Sequence, residues 1–336
     1  MMRKLAVVSI LVLVACTLAA VSFWRGYEAF HAAPLTISSP LRLDMQKGMS
    51  MDDMVAQLVS RKATEDTVYW QVLGRSSGLA GKLKAGEFLI PVGTTPPGLL
   101  ELVASGKVAQ YSLTLVEGWN YREVVRAVAD HPELKSTMDL GEAQDLLQAI
   151  GAIEAHPEGL FLPETYHFPR GTTDVEFLKR AYQAMQHYLE SAWANRRGDL
   201  PYTSAYEVLI MASIIEKETG LGTERPMIAG VFDRRLKRGM RLQTDPTVIY
   251  GLGESFDGNL TRAHLRRDTP YNTYTRHGLT PTPIAMPGRA SIEAALNPAP
   301  GDALYFVARG DGSHQFSATL EQHNQAVAEY QLRRKK

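Results

Sequence analysis

The chain has 336 residues, is 45% hydrophobic, and carries 36 basic and 36 acidic side chains. That length supports one or two domains with real cores, at roughly 100–200 residues per domain. A formal charge of zero argues against nucleic acid as a partner, because such proteins present a basic face or stripe, and leaves a neutral or zwitterionic substrate open.

The chain opens with Arg3 and Lys4, followed by Leu5–Trp24, in which no residue is charged before Arg25. Twenty helical residues span about 30 Å, one hydrocarbon core. The basic flank keeps the short start cytoplasmic and exports the rest, with Trp24 at the far interface. A cleaved signal peptide has a shorter apolar stretch, about 7–15 residues. Leu13-Val14-Ala15-Cys16 also resembles a bacterial lipobox, yet Thr17–Trp24 stays apolar where a lipoprotein tether is polar. An uncleaved anchor is therefore expected, with acylation of Cys16 as the rival. Cys16 is the only cysteine, which excludes a disulfide framework or a cysteine metal site.

His31–Pro40 is short, polar and Pro-bounded, and reads as a tether. Three copies of one pattern follow, in residues 41–59, 86–106 and 111–130. In each, an apolar strand meets a glycine (Gly48, Gly93, Gly118), then a capping residue, then an amphipathic helix. Ser50 with Asp53, and Asn120 with Glu123, have capping-box spacing. Such copies suggest a small α+β module. Pro132–Ala155 reads as further helix, and residues 157–173 as a Pro/Gly-rich loop. Helices are then expected over Asp174–Ala194, Tyr206–Gly220 and Pro226–Gly239. Residues 240–288 are loop-rich, a hairpin turns at Asp311-Gly312, and a closing helix runs to Arg334.

The stretch "MASIIEKETG", Met211–Gly220, ends a wholly apolar helix in Glu216 and Glu218. Residues two apart on a helix point about 200° from each other, so the pair cannot serve one site; one faces a groove and the other solvent. Glu218 shares its face with Met211, Ile214 and Ile215. The negative end of the helix dipole and burial both favour its protonated form, as a general acid for glycosidic cleavage requires. The competing reading is a solvated helix end, which Glu-Lys-Glu usually is; the greasy run before it weighs against that.

Together with the membrane span, "MASIIEKETG", "MRLQTDPTVIYGLG", "PYNTYTRHGLTPTPIAMPG" and "LPETYHFPRGT" resemble the endolytic murein transglycosylase (YceG-like) family over essentially the whole chain. The resemblance implies an α+β protein: residues 1–25 a cytoplasmic stub and transmembrane helix, 26–40 a linker, 41–130 a LysM-like module, 131–336 a catalytic domain. It implies an endolytic lytic transglycosylase that needs no cofactor, with Glu218 as the catalytic residue. Cleavage between N-acetylmuramic acid and N-acetylglucosamine would close a 1,6-anhydro ring and terminate nascent strands. The expected partners are peptidoglycan glycan strands, the bacterial inner membrane with the catalytic domain on its periplasmic side, and peptidoglycan synthases.

Gln243, Thr244 and Asp245 are candidates for sugar hydroxyls or the acetamido group, against an ordinary Asp turn before Pro246. Tyr250, Tyr271 and Tyr274 offer flat faces to sugar rings, with loop anchoring the commoner use of any single one; Asn272 is expected to line a polar groove. Glu164 lies in Pro163-Glu164-Thr165-Tyr166, where relatives carry Asp and Trp, and is the less secure substrate contact. Arg241 and Arg276 are candidates for a stem-peptide carboxylate. His167, His277, His314 and His323 have no compact metal spacing, and no Gly-x-Ser-x-Gly elbow is present. Two rival classes stay open: a two-carboxylate hydrolase using Glu164 or Asp245, and a non-enzymatic wall-binding scaffold.

Overall fold

A computed structural model describes residues 2–332. The chain divides into two compact units, the first running through Tyr111 and including Phe168–Arg170, the second comprising Ser112–His167 and everything from Gly171 onward. Residues 112–130, which carry most of the third strand–turn–helix copy, fall within the second unit.

The first unit begins with α1 (Met2–Ala32), one continuous helix about 46 Å long at 1.5 Å per residue. It is the one described helix long and apolar enough to cross a membrane, and none of its apolar stretch is buried in the protein. Its last turns do different work. Phe30 is buried against Trp70, rings edge-on at 5.4 Å, and Gly26 lies so close to the Tyr69 hydroxyl that a Cβ there would fall 2.1 Å from it. The segment read as a tether is likewise packed: Leu35 is buried, and the amides of Leu35 and Thr36 donate to Thr94 O (2.8 Å) and Ala63 O (2.9 Å). Polar composition concealed two apolar anchors, Phe30 and Leu35, that hydrophobic burial pulls into the core.

Next come β1 (Leu41–Met45), α2 (Met51–Ser60), α3 (Thr67–Ser77), β2 (Gly86–Ile90) and α4 (Pro96–Ser105). β1 and β2 pair antiparallel with Leu43 opposite Phe88. Leu43, Met45, Phe88 and Ile90 turn inward against Met54, Leu58, Trp70, Leu99 and Val103. The turn chemistry is as the sequence specifies. Gly48 and Gly93 take φ +92° and +87°, where a side chain would strain the backbone. Ser50 and Asp53 close a capping box, and Thr95 caps α4 with Pro96 in its first turn.

β3 (Tyr111–Thr114) leads into α5 (Tyr121–Ala129), which Asn120 and Glu123 cap reciprocally. Of Pro132–Ala155, only α6 (Ala143–Ile150) is helical. Backbone groups around Lys135 and Thr137 instead bond to Thr172 O and the Asp174 carboxylate, which outcompetes a local helix. β4 (Thr165–Phe168) pairs with β3, and the Thr114 and Thr165 hydroxyls share a hydrogen bond of 2.8 Å.

The core of the second unit is α8 (Ala205–Glu218), preceded by α7 (Asp174–Ala194) and followed by α9 (Arg225–Lys237). Residues 208–215 of α8 are all buried, as a helix apolar on every face must be. Two short helices, α10 (Asp245–Leu252) and α11 (Arg262–Arg266), interrupt the loop-rich stretch, and α12 (Arg289–Leu296) packs along α8. The fold closes with the hairpin of β5 (Tyr305–Ala308) and β6 (His314–Ser317) and with α13 (Leu320–Val327). Residues 333 and 334 of the expected closing helix lie outside the described residues.

Candidate active site

α8 ends at Glu218 because Thr219 turns to extended backbone, and the two terminal carboxylates go to opposite environments. Glu216 does not face solvent: its side chain is 6% exposed and meets Arg225 at 3.3 Å. Its other oxygen accepts from Gly288 N (2.9 Å) and the Ser291 hydroxyl (2.7 Å), satisfying one free amide at the start of α12. Ser213, one turn earlier, accepts from Ile284 N at 2.9 Å. Glu216 is therefore a buried clamp between α8 and the segment leading into α12. The expectation of a solvent-facing carboxylate fails because α12 covers that face.

Glu218 meets the turn ahead of α10. Gln243 adopts φ +50°, a left-handed conformation uncommon for a residue with a side chain. Arg235 holds the turn from beneath: the buried guanidinium donates to Leu242 O (2.8 Å), Arg241 O (3.1 Å) and Leu304 O (2.6 Å). Buried Thr273 and Thr247 hydroxyls lie 2.9 Å apart, Thr244 N donates to Thr273 Oγ1 at 3.1 Å, and Thr247 donates to Thr244 O at 2.8 Å. So held, Thr244 occupies the N-cap place of α10 without capping it, because its hydroxyl donates to Glu218 Oε1 instead. Asp245 is exposed and accepts from the Tyr274 hydroxyl at 2.5 Å.

These surroundings decide the protonation of Glu218. Burial, the largest influence, pushes its pKa up to about 7 and the Asp245 charge adds to that; the Thr244 bond and the charges of His314 and Arg235 act the other way. The group thus exchanges a proton near neutral pH, as acid–base catalysis requires. Asp245 likewise raises the Tyr274 hydroxyl, after burial as the main cause.

Of the residues singled out from sequence, Thr244 bonds Glu218, Asp245 and Tyr274 interact with it through their charge and hydroxyl, and Gln243 meets Arg235 at 3.5 Å in the turn that carries Thr244. Tyr250 does not join them by its hydroxyl, which donates to Glu158 Oε2 at 2.9 Å while its ring stands 4.9 Å from Tyr271. Asn272 lies beneath the surface rather than lining a groove. It is fully buried, and its amide nitrogen donates to the carbonyls of His264, Leu265 and Arg267, closing the end of α11. Glu164 is half exposed and paired with Arg289 at 3.5 Å. Arg276 is held by Asp268 at 3.0 Å, and Arg241 reaches Tyr274 O and His277.

Sequence reading missed Arg235, Glu224, His314 as a neighbour of Glu218, and Glu158. The last is 2% exposed, accepts from Tyr121 N at 2.9 Å, and is pushed up to about 7 chiefly by burial. Its only local signal was Gly159 with φ +80°, where a Cβ would meet Pro283 at 2.4 Å. Among the described residues no group of three or more His, Cys, Asp or Glu is arranged to hold a metal ion.

The family profile described as YceG-like matches residues 43–329, and the chain belongs to that family. A Bacillus subtilis protein named endolytic murein transglycosylase is 29% identical over 327 residues, 92% of this chain and 90% of the relative. A Streptococcus pneumoniae protein of the same name is 28% identical over 85% of this chain, which spans 50% of that longer relative. A solved YceG-like protein from Listeria monocytogenes is 30% identical, with a TM-score of 0.53 covering 86% of this chain and 99% of the other.

Proposed function

We propose that this YceG-like protein is an endolytic lytic transglycosylase of peptidoglycan and that Glu218 is its single acid–base group. The function follows from family membership and the relatives' shared name. The assignment of Glu218 rests on one observation above the others: a carboxyl at the end of a buried helix, bonded to Thr244 and titrating near neutrality. In the protonated form it delivers its proton to the oxygen bridging N-acetylmuramic acid and N-acetylglucosamine, and that bond breaks. The muramic acid's own 2-acetamido group stabilises the anomeric carbon. The Glu218 carboxylate then takes the proton of the C6 hydroxyl, whose oxygen bonds to that carbon. A 1,6-anhydro ring forms, Glu218 is protonated again, and no water is consumed.

Gln243, Asp245 and Tyr274 are proposed sugar contacts, Asp245 and Tyr274 on their interaction with Glu218 and Gln243 on its place in the turn beside Thr244. Tyr250, with its hydroxyl taken by Glu158, is left with its ring as the proposed sugar contact. Residues 41–130 are proposed as a LysM-like, glycan-engaging region and residues 131–336 as catalytic. The antiparallel pair and its helices in the first unit support the former, and the location of Glu218 supports the latter. α1 supports a single-pass inner-membrane protein with its domains on the periplasmic side, acting on nascent strands beside peptidoglycan synthases.

Mass spectrometry of purified glycan strands digested by the wild-type protein and by Glu218→Gln tests the reading. Internal cuts ending in 1,6-anhydro-muramic acid, lost in the variant, are expected. Reducing ends would identify a hydrolase with Asp245 as second carboxylate, and cutting retained by the variant would remove Glu218 from the chemistry.

A further inference from the structure

α1 leaves no free segment between its apolar stretch and the rest of the first unit. It runs unbroken to Ala32, and the residues after it are bonded in at once, Leu35 N to Thr94 O and Thr36 N to Ala63 O. How far the unit stands above the apolar stretch is therefore set by which turns of α1 it touches. Leu5–Trp24 covers the roughly 30 Å of one hydrocarbon core, which places the far edge at Trp24. At about 1.5 Å per residue, Gly26 stands about 3 Å beyond that edge and Phe30 about 9 Å. The headgroup layer above the edge is roughly 5–8 Å deep, and a helix tilt of about 20° shortens these heights by less than about a tenth.

α3 packs at this level. The Tyr69 ring sits between Phe23 and Phe30, with centroids 5.3 and 5.6 Å away, and its hydroxyl lies against Gly26. Toward the other end of α3, Ser76 shares a hydrogen bond of 3.3 Å with the Tyr27 hydroxyl. Both ends of α3 thus meet the same short stretch of α1. Successive helical residues are rotated by about 100°. Trp70 faces the core and Phe30; Tyr69, one rotation back, faces the level of Gly26. Val68, one rotation further, faces away from the core on the membrane side and is 58% exposed. Half-buried Val72 and exposed Arg75 follow it one and two turns on. Apolar groups on the lower face, an aromatic at the boundary and an arginine beside them are the chemistry of a helix lying in a membrane interface. Arg25 and Arg75 are matched by Glu65 and Asp66, all four exposed, so this face carries no excess positive charge.

We propose that α3 is an interfacial helix, lying in the phospholipid headgroup layer where α1 leaves the bilayer. Val68 and Val72 turn toward the acyl chains, Tyr69 marks the boundary, and Arg75 lies among the phosphates. The first unit is then a module seated on the membrane rather than a body on a tether. This seat rests on the reading of α1 as a membrane span.

The test uses the full chain in phosphatidylcholine nanodiscs, with Cys16→Ala so that one introduced cysteine carries an environment-sensitive fluorophore. Val68→Cys and Leu13→Cys both place it at exposed positions, outside the core. Quenching is read with lipids spin-labelled at the headgroup or deep in the acyl chain. The Val68→Cys label is expected to lose most of its emission to the headgroup spin label and little to the deep one. The Leu13→Cys label, in the middle of the span, is expected to do the reverse. No quenching of Leu13→Cys by either lipid sinks the span and the seat together. Leu13→Cys quenched as expected, with Val68→Cys unquenched, sinks only the seat. A Val68→Cys label that emits as in an apolar site yet ignores both lipids would place a second copy of the chain on this face, and overturns the seat as well. Quenching of Val68→Cys that appears only when anionic phosphatidylglycerol is added would make the contact electrostatic and refute the apolar seat.

Discussion

Replacing Glu218 by Gln should stabilise the protein at alkaline pH while abolishing cleavage. Burial above all raises this carboxyl from 4.5 to about 7 in the folded chain. Below about pH 4.5 both folded and unfolded chains hold the proton, and the group costs nothing. Between 4.5 and 7 the unfolded chain releases a proton that the folded one retains, so stability falls as pH rises; above 7 the loss is complete. A difference of about 2.5 in pKa, at about 1.36 kcal/mol for each pH unit, sets the ceiling at ~3 kcal/mol. Gln has the same shape without the titration. Its advantage over wild type should therefore grow from about zero near pH 4.5 to at most ~3 kcal/mol at pH 8. For a unit of this size that is on the order of 6–10 °C in melting temperature. Glu158 is also raised to about 7 by burial, but it is common to both proteins and cancels in the difference. Thermal melts of wild type and variant in the same detergent at pH 5 and pH 8 measure the effect. If the melting difference is equal at the two pH values, Glu218 does not titrate near neutrality in the folded protein, and the acid–base assignment loses its support.

Thr244→Val should raise the pH at which activity falls, because it removes the donor that favours the carboxylate; a hydrogen bond to a charged group worth about 1.5–3 kcal/mol corresponds to a displacement of roughly one to two pH units, read from the pH profile of kcat/KM. Glu216→Gln should destabilise by at most about 3–5 kcal/mol, since it removes the nearer carboxylate of buried Arg225, leaving Glu117 at 3.9 Å, and weakens the bonds to Gly288 and Ser291; a melt within 2 °C (roughly) of wild type would contradict the clamp. Asn272→Ala should cost about 1–3 kcal/mol by removing the buried donor shared by the three carbonyls at the end of α11, while leaving the pH limb set by Glu218 in place; a melt like wild type with weakened substrate binding would instead make Asn272 a sugar contact.

Local chemistry was legible in the sequence because it is written within a few residues. The charge-free run of Leu5–Trp24, the glycine turns at Gly48 and Gly93, and the capping boxes at Ser50 and Asn120 each need only neighbours along the chain. The same holds for α8, whose unbroken apolar run required burial on all sides, and for the separation of Glu216 from Glu218 by helical geometry. What each carboxylate does was decided elsewhere. Glu216 is buried because α12, some 72 residues on, supplies Gly288. Glu218 meets Thr244 from 26 residues away, and Glu224 meets His314 from 90. Asn272, polar and flanked by tyrosines, is taken inside to close α11. Phe30 and Leu35 turned a presumed tether into core. Hydrogen-bond satisfaction and burial are properties of what surrounds a side chain, and for these residues the surroundings are assembled only when distant segments fold against α8 and, in the first unit, against β1 and β2.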